Sequence, residues 1–168
     1  MKSWDKGVDY VSVYNMLKRN LHSRNKKDVC YSAILMIQLR NGSRISEAIE
    51  CFKQYILTRK TEYYVKVRKK RKEDYRLMVI PEELHSLDLA QCSDLLSVDD
   101  RKLRDRVRKY IYRKYKINTH SLRYAFITYL LKNNINVSII ARITHHSNLN
   151  YILHYTQQRL ADELLKSI

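Results

Sequence analysis

Between Asn118 and Gln157 the chain gathers His120, Arg123, His145, His146, His154 and Tyr155, four of its six histidines among them. Imidazoles exchange protons near neutrality or ligate metals. Arginine offers a planar fork of N–H donors that fits a phosphate. A zinc site needs three or four ligands at converging spacing, and the sequence has no His-Glu-x-x-His or Cys/His framework. His145 and His146 are adjacent, so on a regular element they point apart. No metal ligand is assigned. Tyr155 is one of fourteen tyrosines, most of which suit amphipathic packing. Arg44, in "NGSRISEA", reads by itself as a helix-start arginine paired with Glu47. Only order and spacing can give these residues a common purpose.

The charge balance narrows that purpose. The 168 residues carry a net charge of +16, concentrated in two blocks. Residues 59–76 hold nine Lys/Arg against three acids, a net of +6, and residues 101–116 hold nine against Asp105, a net of +8. Two such blocks in one domain-sized chain indicate a polyanion, most simply nucleic acid. An anionic membrane is the weaker partner, because no long apolar run or basic amphipathic terminal helix is present. Cys30, Cys51 and Cys92 form no Cys-x-x-Cys pair or even framework, and the start "MKSWDKGVDY" lacks a signal-peptide core. The expectation is a reduced, cytoplasmic setting in a prokaryotic cell, with a virus or plasmid as a suitable source.

Two glycines and one proline predict a mainly helical chain with few tight turns. Tyr10, Val13, Tyr14, Leu17 and Leu21 share one helical stripe. Residues 28–40 are apolar nearly all round, as in a buried central helix. "RNGS" is a turn before a short helix from Ile45 to about Phe52, and "QYILT" (54–58) reads as a strand. Val65 and Val67, then Leu77 and Val79, alternate with polar residues as in a β-hairpin with a basic tip. Pro81 opens a helix in "PEELHSL", and residues 85–100 read as a loop. Helices are expected at about 101–115, 121–133, 137–143 and 149–155. The first of these packs through Leu103, Val107, Tyr110 and Ile111, leaving its other faces basic. Leu160, Leu164, Leu165 and Ile168 form a last apolar stripe.

Taken in order, these pieces resemble the catalytic domain of the tyrosine recombinases, the integrase family. "NGSRISEA" is similar to the family's Gly-x-Arg-x-x-Glu turn and helix, giving Arg44 and its supporter Glu47. "HSLR" matches His-x-x-Arg, giving His120 and Arg123. "THHSNLNYILHYTQ" resembles the Gly-His-Ser-Ser segment, whose nucleophile lies nine residues after the histidine; that spacing selects His146 and Tyr155 over His145 and Tyr151. His145 stands where the family has glycine, and Tyr124 where it has a second histidine. The basic hairpin resembles the strands whose tip bears a catalytic lysine, here Lys70, with Lys72 and Lys69 as alternatives. The resemblance spans roughly residues 28–157. It implies an α+β, mainly α fold with a small antiparallel sheet, one catalytic domain over 1–168, and no core-binding domain in this chain.

The resemblance also implies a reaction. Tyr155 would attack a DNA phosphate to form a 3′-phosphotyrosyl link while Arg44 and Arg123 hold the non-bridging oxygens. The hairpin lysine would protonate the leaving 5′-oxygen, and His120 and His146 would move protons or hydrogen-bond the phosphate. The arginines supply positive charge, so no cofactor or metal is implied. The partner would be double-stranded DNA of attachment-site type, bound through Lys66, Arg68 and Arg71 of the hairpin and Arg104, Arg108 and Lys109 of the basic helix. The protein would be a tetramer on DNA and a monomer or dimer when free, with the Leu160–Ile168 stripe either docking on a neighbouring protomer or packing on its own domain. A type IB-like topoisomerase, a non-catalytic DNA-binding relative and a basic RNA-binding protein are the competing readings. Non-specific DNA affinity should fall steeply with salt, because each Lys/Arg–phosphate contact releases counterions. Fluorescence anisotropy across a salt series measures the slope of log K against log[salt], and a flat slope would remove the polyanion reading.

Overall fold

A computed structural model describes residues 8–68, 73–146 and 150–168. Helix α1 (Tyr10–Asn20) opens at Asp9, whose carboxylate accepts the Ser12 N–H at 2.9 Å. Helix α2 (Lys26–Asn41) follows, and every residue from Val29 to Leu39 is buried. It is the axis of the molecule: α1, α3 (Ile45–Thr58) and α5 (Thr119–Lys132) pack around it. Its all-round apolar sequence therefore meets neighbours on all sides, as expected. The basic helix α4 (Asp100–Tyr115) packs through Leu103, Val107 and Ile111. Helix α6 (Val137–Thr144) joins α5 in a smaller cluster of Phe126, Ile127 and Ile140. Helix α7 (Asn150–Ser167) ends the fold.

Gly42 makes the turn between α2 and α3, with φ of 59°. A Cβ there would lie 2.1 Å from the Phe126 ring, so glycine serves both the left-handed turn and the close approach of α5. Elsewhere the glycine-poor chain ends its helices in the left-handed conformation without glycine, at Arg59, Lys116 and His145. The cationic side chains of Arg59 and Lys116 suit the negative pole of the helix dipole.

The hairpin is present: β1 (Glu62–Lys66) pairs antiparallel with β2 (Tyr75–Val79), with Val65 opposite Arg76 and Tyr63 opposite Met78. Its buried face differs from expectation. Tyr63, Val65 and Val67 point inward, but on the return strand Arg76, Met78 and Ile80 do so, leaving Leu77 42% exposed. Leu77/Val79 and Met78/Ile80 are equally apolar, so alternation alone could not choose the face. "QYILT" is not a strand. It continues α3 to Thr58, because Ile45, Ala48, Ile49, Phe52 and Tyr55 form one buried helical stripe. "PEELHSL" yields only a 3₁₀ turn, Glu82–Leu84, and the expected loop contains a 3₁₀ segment, Ala90–Ser97. Leu89, Cys92 and Leu95 anchor that region in the core. Helix α7 runs well past Tyr155, leaving Leu164, Leu165 and Ile168 exposed rather than packed on their own domain.

The cysteines also depart from expectation. Cys30 of α2 and Cys92 of the 3₁₀ segment form a disulfide, their Cα atoms 5.7 Å apart, whereas Cys51 is a buried free thiol. Burial pushes the Cys51 pKa up to about 12, which keeps it unreactive. The two half-cystines are 62 residues apart with no local motif, so only the fold brings them together. On the chain-entropy account, closing that loop contributes about 4 kcal/mol. Urea unfolding with and without reductant should show a loss of that order, and Cys30→Ser should reproduce it in oxidising buffer. Coincident curves would remove the bond from the stability of the fold.

Candidate active site

Glu47 lies in the first turn of α3 and is fully buried. Its Oε1 accepts the Arg44 backbone N–H at 3.2 Å, closing the N-terminus of the helix. The Arg44 guanidinium reaches Oε2 at 3.3 Å, and the Arg68 backbone N–H donates to the same oxygen at 3.1 Å. Arg76, 1% exposed, brings Nη1 to 3.6 Å from Oε1. One carboxylate therefore joins the turn after α2 to both sides of the hairpin. Burial lowers the pKa of Arg76, and Glu47 opposes that shift.

Two buried amides of α2 complete the frame. Gln38 Nε2 donates to Ser43 O at 3.1 Å and Thr119 O at 3.0 Å, fastening the start of α5 to the turn that bears Arg44. The Asn41 amide donates to Val79 O at 2.9 Å and accepts the Val79 N–H at 2.8 Å, pairing with β2 as another strand would. The Asn41 carbonyl also accepts from Arg76 Nη2. Sequence reasoning passed over Gln38, Asn41 and Arg76. The signal for the first two was available: polar residues near the end of an all-round buried helix must find partners. Arg76 carried no such signal, because only the strand register turns it inward.

Arg123 lies on the first turns of α5 and is 3% exposed. Its Nε donates to His146 Nε2 at 3.2 Å, and Nη2 donates to the Thr144 carbonyl at 3.2 Å. His146 Nδ1 lies 2.7 Å from Thr144 Oγ1, which itself donates to the Ile140 carbonyl. Arg123 Nη2 lies 3.1 Å from His146 Nδ1 and 3.0 Å from Nε2, so the guanidinium and the imidazole pack as one unit. Burial, then the neighbouring positive charge of Arg44, pulls the Arg123 pKa down to about 9. It stays protonated at neutral pH. Arg123 Nη1 and Arg76 Nη1 are buried polar atoms without a hydrogen-bond partner. Two guanidiniums, of Arg44 and Arg76, thus share the Glu47 carboxylate, and with Arg123 they leave a surplus of positive charge suited to an anion.

The other expected site residues are distributed as follows. His120 is exposed on the first turn of α5, one helical turn before Arg123. His145 bonds the hairpin: its Nδ1 lies 2.7 Å from Asp74 Oδ2. Tyr155 lies on α7, but its side chain falls outside the described residues. Lys69, Lys70, Arg71 and Lys72 lie outside the described residues altogether. Lys66, Arg108 and Lys109 are exposed, while Arg68 pairs with Glu50 at 2.9 Å and Arg104 lies 3.7 Å from Asp105. Lys109 also borders a cleft of about 670 Å³ with Lys27, Arg106, Arg113 and Lys114, a basic surface shared between α2 and α4 that sequence blocks alone did not reveal.

The phage integrase family matches residues 10–161. This chain belongs to that family. It is 40% identical to "Putative integrase ORF241" of Acidianus two-tailed virus, an alignment covering 99% of this chain and 69% of the relative. An uncharacterized protein of Methanocaldococcus jannaschii is 35% identical, with 99% and 89% of the two chains covered. "Putative integrase V10" of Sputnik virophage is 29% identical over 97% and 89%. No solved structure matches. The chain is thus a tyrosine recombinase-type catalytic domain, and its mainly helical α+β fold with a two-stranded antiparallel sheet is as expected. Among the described residues, no helix is long and apolar enough to cross a membrane.

The integrase-family frame around Glu47 has a testable energetic consequence. Glu47→Ala should cost about 3–5 kcal/mol, because it leaves Arg76 buried without its countercharge. Glu47→Gln combined with Arg76→Met should recover most of that loss in urea unfolding. A cost of Glu47→Ala below about 1 kcal/mol would mean that the pair does not hold the frame.

Proposed function

We propose that this chain is a site-specific recombinase that cuts and rejoins DNA through a 3′-phosphotyrosyl intermediate. The observation that carries the reading is the pair of arginines Arg44, held by Glu47, and Arg123, held by His146 and the Thr144 carbonyl, whose charges act on each other. Two guanidiniums offer the geometry and charge for the non-bridging oxygens of one phosphodiester. Arg123 is pre-set by His146 and Thr144, so little reorganisation is needed when the phosphate arrives.

In this reading the Tyr155 oxygen forms a bond to the scissile phosphorus as the P–O5′ bond breaks. The phenolic proton leaves to an imidazole, His120 or His146. The 5′-oxygen takes its proton from a hairpin lysine, Lys70 with Lys72 and Lys69 as alternatives. Attack by the 5′-hydroxyl of another strand reverses the step, because the ester keeps the bond energy. Bound phosphate would offset the surplus positive charge of the arginine cluster.

Attachment-site duplex would lie against the hairpin, where Lys66 is exposed, and the basic helix, where Arg108 and Lys109 are exposed. Leu164 and Leu165 of α7 and the following Ile168, with Ile135, Ile139 and Ile143 at every fourth position around α6, form uncovered apolar surfaces. They support assembly on DNA, with a tetramer as the working state.

A nicked duplex whose short cleaved end diffuses away tests the reaction directly. With candidate attachment sequences, the wild type should give a covalent protein–DNA band on a denaturing gel. Tyr155→Phe should abolish it, and Arg123→Ala should reduce it by on the order of 10²–10³-fold. A band that persists in Tyr155→Phe moves the nucleophile to another residue, such as Tyr151. Binding without any band favours a non-catalytic DNA-binding role.

A further inference from the structure

We propose that His145 and Asp74 form a latch that positions the basic hairpin for protonation of the leaving group. The inference rests on the reading above, in which a hairpin lysine is the acid. His145 closes α6 with φ of 55°, a conformation that glycine adopts most easily. The sequence resemblance has glycine at this place, so the side chain is a departure of this chain and is not required by the turn. That side chain reaches 71 residues back along the sequence to Asp74, at 2.7 Å.

The two partners occupy informative places. Asp74 immediately precedes β2, and its carbonyl accepts the Val67 N–H at 2.7 Å, the last described rung before the basic turn. Asp74 therefore helps to fix the end of the described hairpin ladder. His145 is followed by His146, which contacts Arg123 and Thr144. Beyond it the chain leads to α7. One dipeptide thus ties the hairpin through His145 and the phosphate-binding arginine through His146, just before the helix that carries Tyr155. Glu47 fixes the inner side of the hairpin through Arg76 and the Arg68 N–H. The His145–Asp74 contact fixes it from the α6 side. Both side chains are partly exposed, 25% and 38%, so the contact can be removed without opening the core.

His145 and Asp74 are positioning residues in this proposal, and their effect should appear only where the leaving group needs a proton. With the natural substrate, the Tyr155 oxygen–phosphorus bond forms, the P–O5′ bond breaks, and the 5′-oxygen accepts a proton from the lysine ammonium. With sulfur in place of the bridging 5′-oxygen, the thiolate departs without a proton. The variants are Asp74→Ala and His145→Gly; the second relaxes the backbone at φ of 55°, so its rate loss is not an unfolding effect. Each should slow covalent trapping of the oxygen substrate on the order of 10-fold, less than the 10²–10⁴ of losing a general acid outright. On the sulfur substrate both should return to within about 3-fold of wild type. The reciprocal exchange Asp74→His with His145→Asp should restore part of the rate on oxygen.

A combined Lys69→Ala, Lys70→Ala, Lys72→Ala variant separates the proposal from the reading beneath it. If that variant is rescued by sulfur but Asp74→Ala and His145→Gly are equally slow on both substrates, or slow on neither, the latch is overturned and the lysine assignment stands. If the triple variant is not rescued, the hairpin lysine is not the acid and the latch falls with it.

Discussion

The carboxylate of Glu47 is the interaction from which the rest of the site is organised. A lone buried carboxylate would be untenable in a protein interior. Here it receives backbone N–H groups from Arg44 and Arg68 and lies beside the guanidiniums of Arg44 and Arg76. Each donor belongs to a different piece of structure: the turn after α2, the segment that follows β1, and β2. Satisfying one charge therefore sets three elements in register. The same logic makes the arrangement cooperative, since removal of one partner leaves another buried charge exposed to the low-dielectric interior.

Gln38 and Asn41 extend that organisation through neutral groups. Gln38 brings the start of α5, and so Arg123, to the turn that bears Arg44. Asn41 substitutes for a missing third strand by bonding both backbone groups of Val79. A two-stranded hairpin is marginal alone; here an amide side chain and an ion pair dock it on a helix. The result is a positively charged cluster held by helices and the docked hairpin, with Arg123 further aimed by His146 and the Thr144 carbonyl.

Much of this was legible before the fold was known. The all-round apolar α2, the Gly42 turn, the basic amphipathic α4 and the existence of the hairpin all followed from periodicity and turn chemistry. The order of the arginine, histidine and tyrosine motifs pointed to the family. What stayed hidden depended on long-range geometry. "QYILT" is rich in residues that suit a strand, but Tyr55 lies on the buried stripe of α3 and tertiary packing overrode local preference. The inward face of β2 followed from register with β1, which brings Arg76 over Glu47. The Cys30–Cys92 pairing had no local pattern at all, and the role of His145 was invisible because a neighbouring histidine matched the motif better.

That disulfide divides the molecule topologically. The covalent ring from Cys30 to Cys92 contains most of α2, the Gly42 turn, α3 and the whole hairpin, and hence Arg44, Glu47 and Arg76. His120, Arg123, His146 and Tyr155 lie outside it, on the single open arm from α4 to α7. One half of the site is thus a closed loop of chain, while the other returns to it by non-covalent contacts, among them those of Gln38, Gly42 and the His145–Asp74 pair. Loosening of this protein would begin on the arm, and the ring would remain as the template on which the arm closes again.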